Sequence, residues 1–147
     1  MRNRAGRSVV KMFRSRKQQG EWVELQFMAR ASAQGLTVSK PWGDSVQYDF
    51  AVEQGGRFKR VQVKGTASND GKSYVCNTVC SAPKRKNRKY TREEVDFFAI
   101  LVIPDEAWYI IPVGVERERS TFYLAPRNPK NRYFRYLEAW GLLKESS

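Results

Sequence analysis

Apolar residues in the segment 18–34 recur at three- and four-residue steps. Trp22, Leu25 and Ala29 make one stripe, and Val23, Phe27 and Ala31 make the stripe beside it. That period predicts an amphipathic helix, and Gly35 follows as its C-terminal cap. Residues 36–40 then read as a first strand and 41–45 as a loop. From 48 to 66 the period falls to two. Two alternating segments flank Gly55-Gly56, a dipeptide suited to a tight primed turn, so a β-hairpin is expected. Residues 74–79 suggest another strand. Residues 97–103 and 108–113 read as buried strands joined at Pro104-Asp105. Thr91 and Glu94 have capping-box spacing, which predicts a short helix after them. Residues 121–124 suggest a short edge strand. Tyr133, Tyr136, Leu137, Trp140 and Leu143 mark an amphipathic closing helix. A leading helix, a central mixed sheet and a closing helix make an α/β or α+β protein.

Counting outward from the Gly-Gly turn places Asp49 opposite Gln62. Opposed residues share one sheet face, with Cβ atoms roughly 4.5–5.5 Å apart. Lys64, two positions on, shares that face, while Val61 and Val63 point the other way into a core. A carboxylate, an amide and an ammonium therefore converge on one patch.

Composition narrows the chemistry. The 147 residues make one ordinary domain, and the formal charge of +12 is that of a nucleic-acid binder. The longest apolar run, 97–103, is too short to cross a bilayer, so no membrane partner is expected. Histidine is absent, which removes Ser-His-Asp triads, Cys-His nucleophiles and His-ligated metal sites together. Cys76 and Cys80 cannot complete a tetrahedral zinc site and are expected as buried free thiols, in keeping with a reducing cytoplasm. Seven of the first seventeen residues are basic, including Arg14, Arg16 and Lys17, and none is acidic. Residues 1–17 are accordingly expected as a flexible basic arm, with 18–147 as the folded domain. A second basic run holds Lys84, Arg85, Lys86, Arg88, Lys89 and Arg92. Its place beside the polar patch suggests phosphate contact rather than a purely solvated loop. Trp42 is expected to plug the core beside Pro41 rather than to stack on a base.

In this context the patch resembles the PD-(D/E)XK nuclease superfamily. The residues carrying the resemblance are Gly20-Glu21 and Glu24 in the helix, the stretch SKPWGDSVQYDF at 39–50, and RVQVKGT at 60–66. Within the superfamily the chain looks closest to the group I intron-associated endonucleases and more distantly like archaeal Holliday-junction resolvases. The resemblance implies a restriction-endonuclease-like core, a central mixed β-sheet flanked by helices. It implies Asp49 as the metal-binding aspartate, Lys64 as the catalytic lysine and Glu24 as the extra helix acid, with Glu21 the competing candidate. Gln62 stands where most members carry Asp or Glu, a departure that some members of the resembled family tolerate.

The implied activity is Mg²⁺-dependent hydrolysis of DNA, with Mn²⁺ as a possible substitute. The metal would be held by Asp49, the Gln62 amide oxygen, the Val63 carbonyl and Glu24. Mg²⁺ takes oxygen ligands and typically one or two carboxylates, which suits such a set. Because one active site cuts one strand, a homodimer or homotetramer is expected for double-strand cleavage. The alternatives are a non-catalytic nucleic-acid-binding module that kept the fold and a structure-specific junction resolvase.

Overall fold

The computed structural model describes residues 13–78, 90–115 and 120–144. Helix α1 (Arg16–Ala33) opens on Ser15, whose hydroxyl accepts from the Gln18 N–H, and ends at Gln34 before Gly35 turns with φ +84°. It buries Val23, Phe27 and Ala31, one residue per turn. The stripe expected beside them is not buried in the same way. Leu25 is 57% exposed, Ala29 is exposed, and Trp22 is partly covered by Phe13 with ring centroids 5.3 Å apart.

Among the described residues seven strands follow: β1 (Thr37–Ser39), β2 (Phe50–Gln54), β3 (Arg57–Thr66), β4 (Tyr74–Asn77), β5 (Phe97–Val102), β6 (Ala107–Pro112) and β7 (Thr121–Leu124). Five form a mixed sheet in the order β1-β2-β3-β5-β6, parallel only between β3 and β5. This α+β arrangement is the restriction-endonuclease-like architecture expected from the sequence.

One face of the sheet packs on α1. There Phe27 is wholly buried against Phe50, Trp108 and Trp140, with centroids 5.4–5.8 Å apart. The other face, with Phe98, Ile100, Tyr109 and Ile111, is covered by a separate β4–β7 ribbon carrying Cys76, Phe122 and Leu124. Cys76 is a buried free thiol, and burial pushes it up to about 12. Cys80 lies outside the described residues.

Two expected helices are replaced by something shorter. After Thr91 there is a single turn, in which the Glu94 and Val95 N–H groups both donate to the Thr91 carbonyl. The Thr91 hydroxyl donates to Glu94 Oε1 at 3.0 Å, a bond between side chains. The helix stops there because Asp96 N–H already donates to the Arg60 carbonyl and β5 begins at Phe97.

The closing helix is two 3₁₀ turns, Phe134–Tyr136 and Trp140–Leu143, separated by Leu137 in an extended conformation and Glu138 at φ +52°. Leu137 bridges Tyr109, and Glu138 N–H donates to the Trp108 carbonyl at 2.7 Å. The outer edge of β6 offers backbone groups that need partners, and an unbroken helix could not supply them. Flanking helices were expected; among the described residues α1 is the one α-helix.

Candidate active site

The hairpin positions the central residues. Gly55 and Gly56 both take positive φ (62° and 79°), as a primed two-residue turn requires, and the ladder runs from Gln54↔Arg57 to Phe50↔Val61. One residue before that ladder, Asp49 stands just outside β2 and bonds to the residues on either side of Gln62. Asp49 N–H donates to the Val61 carbonyl at 2.9 Å, and its Oδ2 accepts the Val63 N–H at 2.7 Å. The amide and carbonyl of one strand residue point to the same edge, so the Val63 carbonyl also faces the Asp49 side. Val61 and Val63 point into the core beneath α1, while Gln62 and Lys64 take the opposite face.

Glu24 reaches this mouth from α1, whose close approach to β3 depends on a glycine. A Cβ on Gly65 would lie 2.6 Å from a Val23 methyl, so the helix could not come so near over any larger residue. Glu24, the next residue along the helix, is half-buried, whereas Glu21 is exposed.

Glu24 Oε1 accepts from Lys40 Nζ at 2.9 Å, and the same ammonium lies 4.7 Å from the centroid of the Phe50 ring. Lys40 was not anticipated. Its signal was available: Ser39 pairs with Ala51, and one further step puts Lys40 opposite Phe50, next to Asp49.

These groups set the electrostatics. Burial raises the Asp49 carboxyl from 3.8 to about 6. The Val63 N–H pulls it down, Glu24 pushes it up, and Lys40 and Lys64 pull it down. The Lys64 ammonium lies 5.6 Å over the ring of Tyr90. Two carboxylates and two ammonium groups thus share one small region.

Gln62 is 8% exposed, and its Oε1 is buried with no hydrogen-bond partner among the described residues. An orphaned carbonyl oxygen in a protein interior is costly, so this atom is suited to an external cation or water. Among the described residues no three Asp, Glu, Cys or His side chains are placed to hold a metal together. The available donors are oxygens only: two carboxylates, an orphaned amide oxygen and a strand-edge carbonyl. That set fits a hard divalent cation, which binds through one or two carboxylates and keeps several waters.

The basic elements fare differently. Lys84, Arg85, Lys86, Arg88 and Lys89 lie outside the described residues, as does most of the arm. Arg16 and Lys17 belong to the first turn of α1 rather than to an arm, and the Arg14 N–H donates to Gln18 Oε1. Arg16 lines a groove of about 510 Å³ with Gln19, Gly65, Thr66 and Ser68, adjoining Lys64 along β3. Trp42, expected in the core, is 99% exposed. The loop that carries it turns outward at Gly43, φ +78°.

Comparison with known proteins bears on the family and the fold. A family model described as PD-(D/E)XK endonuclease matches residues 14–143. The structure of a bacterial homing endonuclease, I-Ssp6803I, superposes with a TM-score of 0.75 at 29% sequence identity, covering 90% of this chain and 99% of that one. A search of curated proteins gave no significant match.

Proposed function

The chain belongs to the PD-(D/E)XK endonuclease family, and we propose that it is a divalent-metal-dependent DNA endonuclease acting through Asp49, Gln62, Lys64 and Glu24. The observation that carries the proposal is the mouth of the β2–β3 hairpin. There a half-buried carboxylate with a raised pKa lies against the strand that carries Gln62, whose buried amide oxygen has no partner among the described residues, with Lys64 on the face of Gln62 and Glu24 near Asp49.

Mg²⁺ or Mn²⁺, when bound, would supply Lewis-acid polarisation of the phosphodiester and acidification of the attacking water. Asp49, Gln62 Oε1, the Val63 carbonyl and Glu24 are the groups that would hold it. The chain does the rest. The Val63 N–H fixes Asp49 Oδ2, so one carboxylate oxygen is already oriented and the other is left for a ligand. Lys64 orients the water and, as a compact positive charge, offsets the charge building on the scissile phosphate. Lys40 holds Glu24 toward the site and brings a second cation to the same phosphate. Asp49, favoured in its protonated form below about pH 6, must lose that proton before it can act as a ligand. Arg16, Arg14, Lys17 and the basic run at 84–89 are assigned to the DNA backbone, where cations contribute affinity without sequence choice. Cutting both strands of a duplex requires two such sites, hence a homodimer or homotetramer.

The test is nicking of supercoiled plasmid with Mg²⁺, Mn²⁺ or EDTA, comparing the parent with Asp49→Ala. Nicking that needs metal and disappears in the variant supports the proposal. A folded parent that binds DNA and never cuts it leaves the binding-module reading, which the neutral Gln62 favours.

A further inference from the structure

The loop between β1 and β2 leaves the active face at Lys40 and returns to it at Asp49. Between them residues 42–46 are all exposed, and Trp42 is exposed to 99%. A Cβ placed on Gly43 would meet nothing within 4 Å, so the tip stands clear of the body. The other three tryptophans behave differently. Trp108 and Trp140 are 1% and 3% exposed, and Trp22 packs on Phe13. A protein that buries two of its other indoles and partly covers the third holds this one out in water, on the loop that leads to Asp49.

The chemistry of the loop is also out of keeping with the chain around it. The whole protein carries +12, yet residues 41–47 contain no Lys or Arg and one acid, Asp44. Backbone phosphates are bound by cations and N–H donors, and a carboxylate at the tip would be repelled by them. An indole face, a carboxylate and the Ser45 hydroxyl are instead groups that meet base faces and base edges. The cations that would draw an anionic partner here, Lys40 and Lys64, sit at the root of the loop and on the strand beside it. That arrangement puts phosphate at the root and bases at the tip.

We propose that the 41–47 loop is a base-contacting element of the nuclease, with Trp42 stacking on a nucleobase next to the scissile phosphate. The inference rests on the nuclease reading above and adds which part of the chain reads DNA beyond its backbone. Stacking tolerates any base, so Trp42 supplies affinity and placement of the cut, while Asp44 and Ser45 carry what preference the loop has.

The experiment titrates a 30-base-pair duplex into the full chain in EDTA while following tryptophan fluorescence, with Trp42→Ala and Trp42→Phe alongside. Because Trp108 and Trp140 are buried and Trp22 is partly covered, most of the emission change should come from Trp42 and be lost in both variants. Trp42→Ala should weaken binding roughly tenfold, the loss of one base stack, and Trp42→Phe less. The dependence of affinity on salt should keep its slope, since no phosphate contact is removed. In Mg²⁺, Trp42→Ala should also scatter or slow the cut. Unchanged affinity and unchanged cleavage in Trp42→Ala overturn the inference and leave the nuclease reading intact. So does a DNA-free Trp42→Ala whose sedimentation mass falls below the parent's, which would make Trp42 a contact between copies. A parent that is quenched by DNA and never cuts it overturns the nuclease reading and leaves the base contact.

Discussion

Replacing Asp49 by Asn should make the metal-free protein more stable. The carboxyl pKa rises from 3.8 to about 6 on folding, so near neutral pH the folded chain keeps a charge that its burial disfavours. The shift of about two units corresponds to at most about 3 kcal/mol. An acid with a raised folded-state pKa stabilises the fold fully below its unfolded value, and that contribution is lost as pH climbs through about 6. Asparagine has no such dependence and still offers an oxygen to the Val63 N–H. In EDTA, therefore, Asp49→Asn and the parent should melt together near pH 4. The variant should draw ahead between pH 4 and 6 and stay ahead at pH 8. For a domain of this size the gap would be roughly 6–12 °C. Added Mg²⁺ should reverse the order by raising the parent alone. Differential scanning fluorimetry across pH, with and without metal, reads all of this. A variant that melts no higher than the parent at pH 8 in EDTA, or a gap that ignores pH, refutes the reasoning.

Further tests probe the neighbours of Asp49. Gln62→Glu restores a charge where the unpartnered amide oxygen now sits, and should lower the Mg²⁺ needed for half-maximal nicking. No gain in metal response, in cleavage or in melting, would place Gln62 outside any metal site. Glu24→Gln should cut activity at least tenfold and exposed Glu21→Gln by less than twofold, each measured as initial nicking rate on the order expected for lost charge-assisted contacts. Equal losses would show that the wrong helix acid was chosen. Gly65→Ala drives a methyl against Val23 and should cost about 1–3 kcal/mol by denaturant unfolding. It should also depress nicking even at temperatures where the variant is fully folded, because Glu24 moves with the helix.

The hairpin was legible because a two-residue Gly-Gly turn fixes register by counting, and register fixes which side chains share a face. That arithmetic puts Gln62 and Lys64 on one face of β3 and Asp49 at the open end of the hairpin. The helix was legible in extent but not in facing: two stripes had equal claims by period, and what selected Val23, Phe27 and Ala31 was the sheet beneath them. The closing segment misled because its aromatics keep helical spacing while the backbone answers to the edge of β6. Local periodicity carries no information about a neighbour that distant in sequence. Large apolar residues usually go to the core, so the exposure of Trp42 is a departure that a folding argument does not supply. Lys40 was missed for a simpler reason. Its partner Glu24 sits on α1, with the end of the helix and all of β1 between them.

The carboxylate of Glu138 ties several pieces of the chain together. It pairs with Arg30 on α1, accepts from the Trp108 N–H, and accepts from the Trp140 indole at 3.1 Å. With Leu137 bridged to Tyr109, the chain's last described stretch closes the outer edge of β6. That closure has a bearing on assembly. At Trp108 a copy cannot pair with β6, because Glu138 already takes both the N–H and the carbonyl of that residue. The opposite edge, β1, is three residues long, too short to zip two copies together by backbone pairing. Backbone pairing between copies is thereby disfavoured at both edges of the five-stranded sheet. Cutting Glu138 out of the chain would reopen β6, and soluble protein should then give way to strand-paired aggregates.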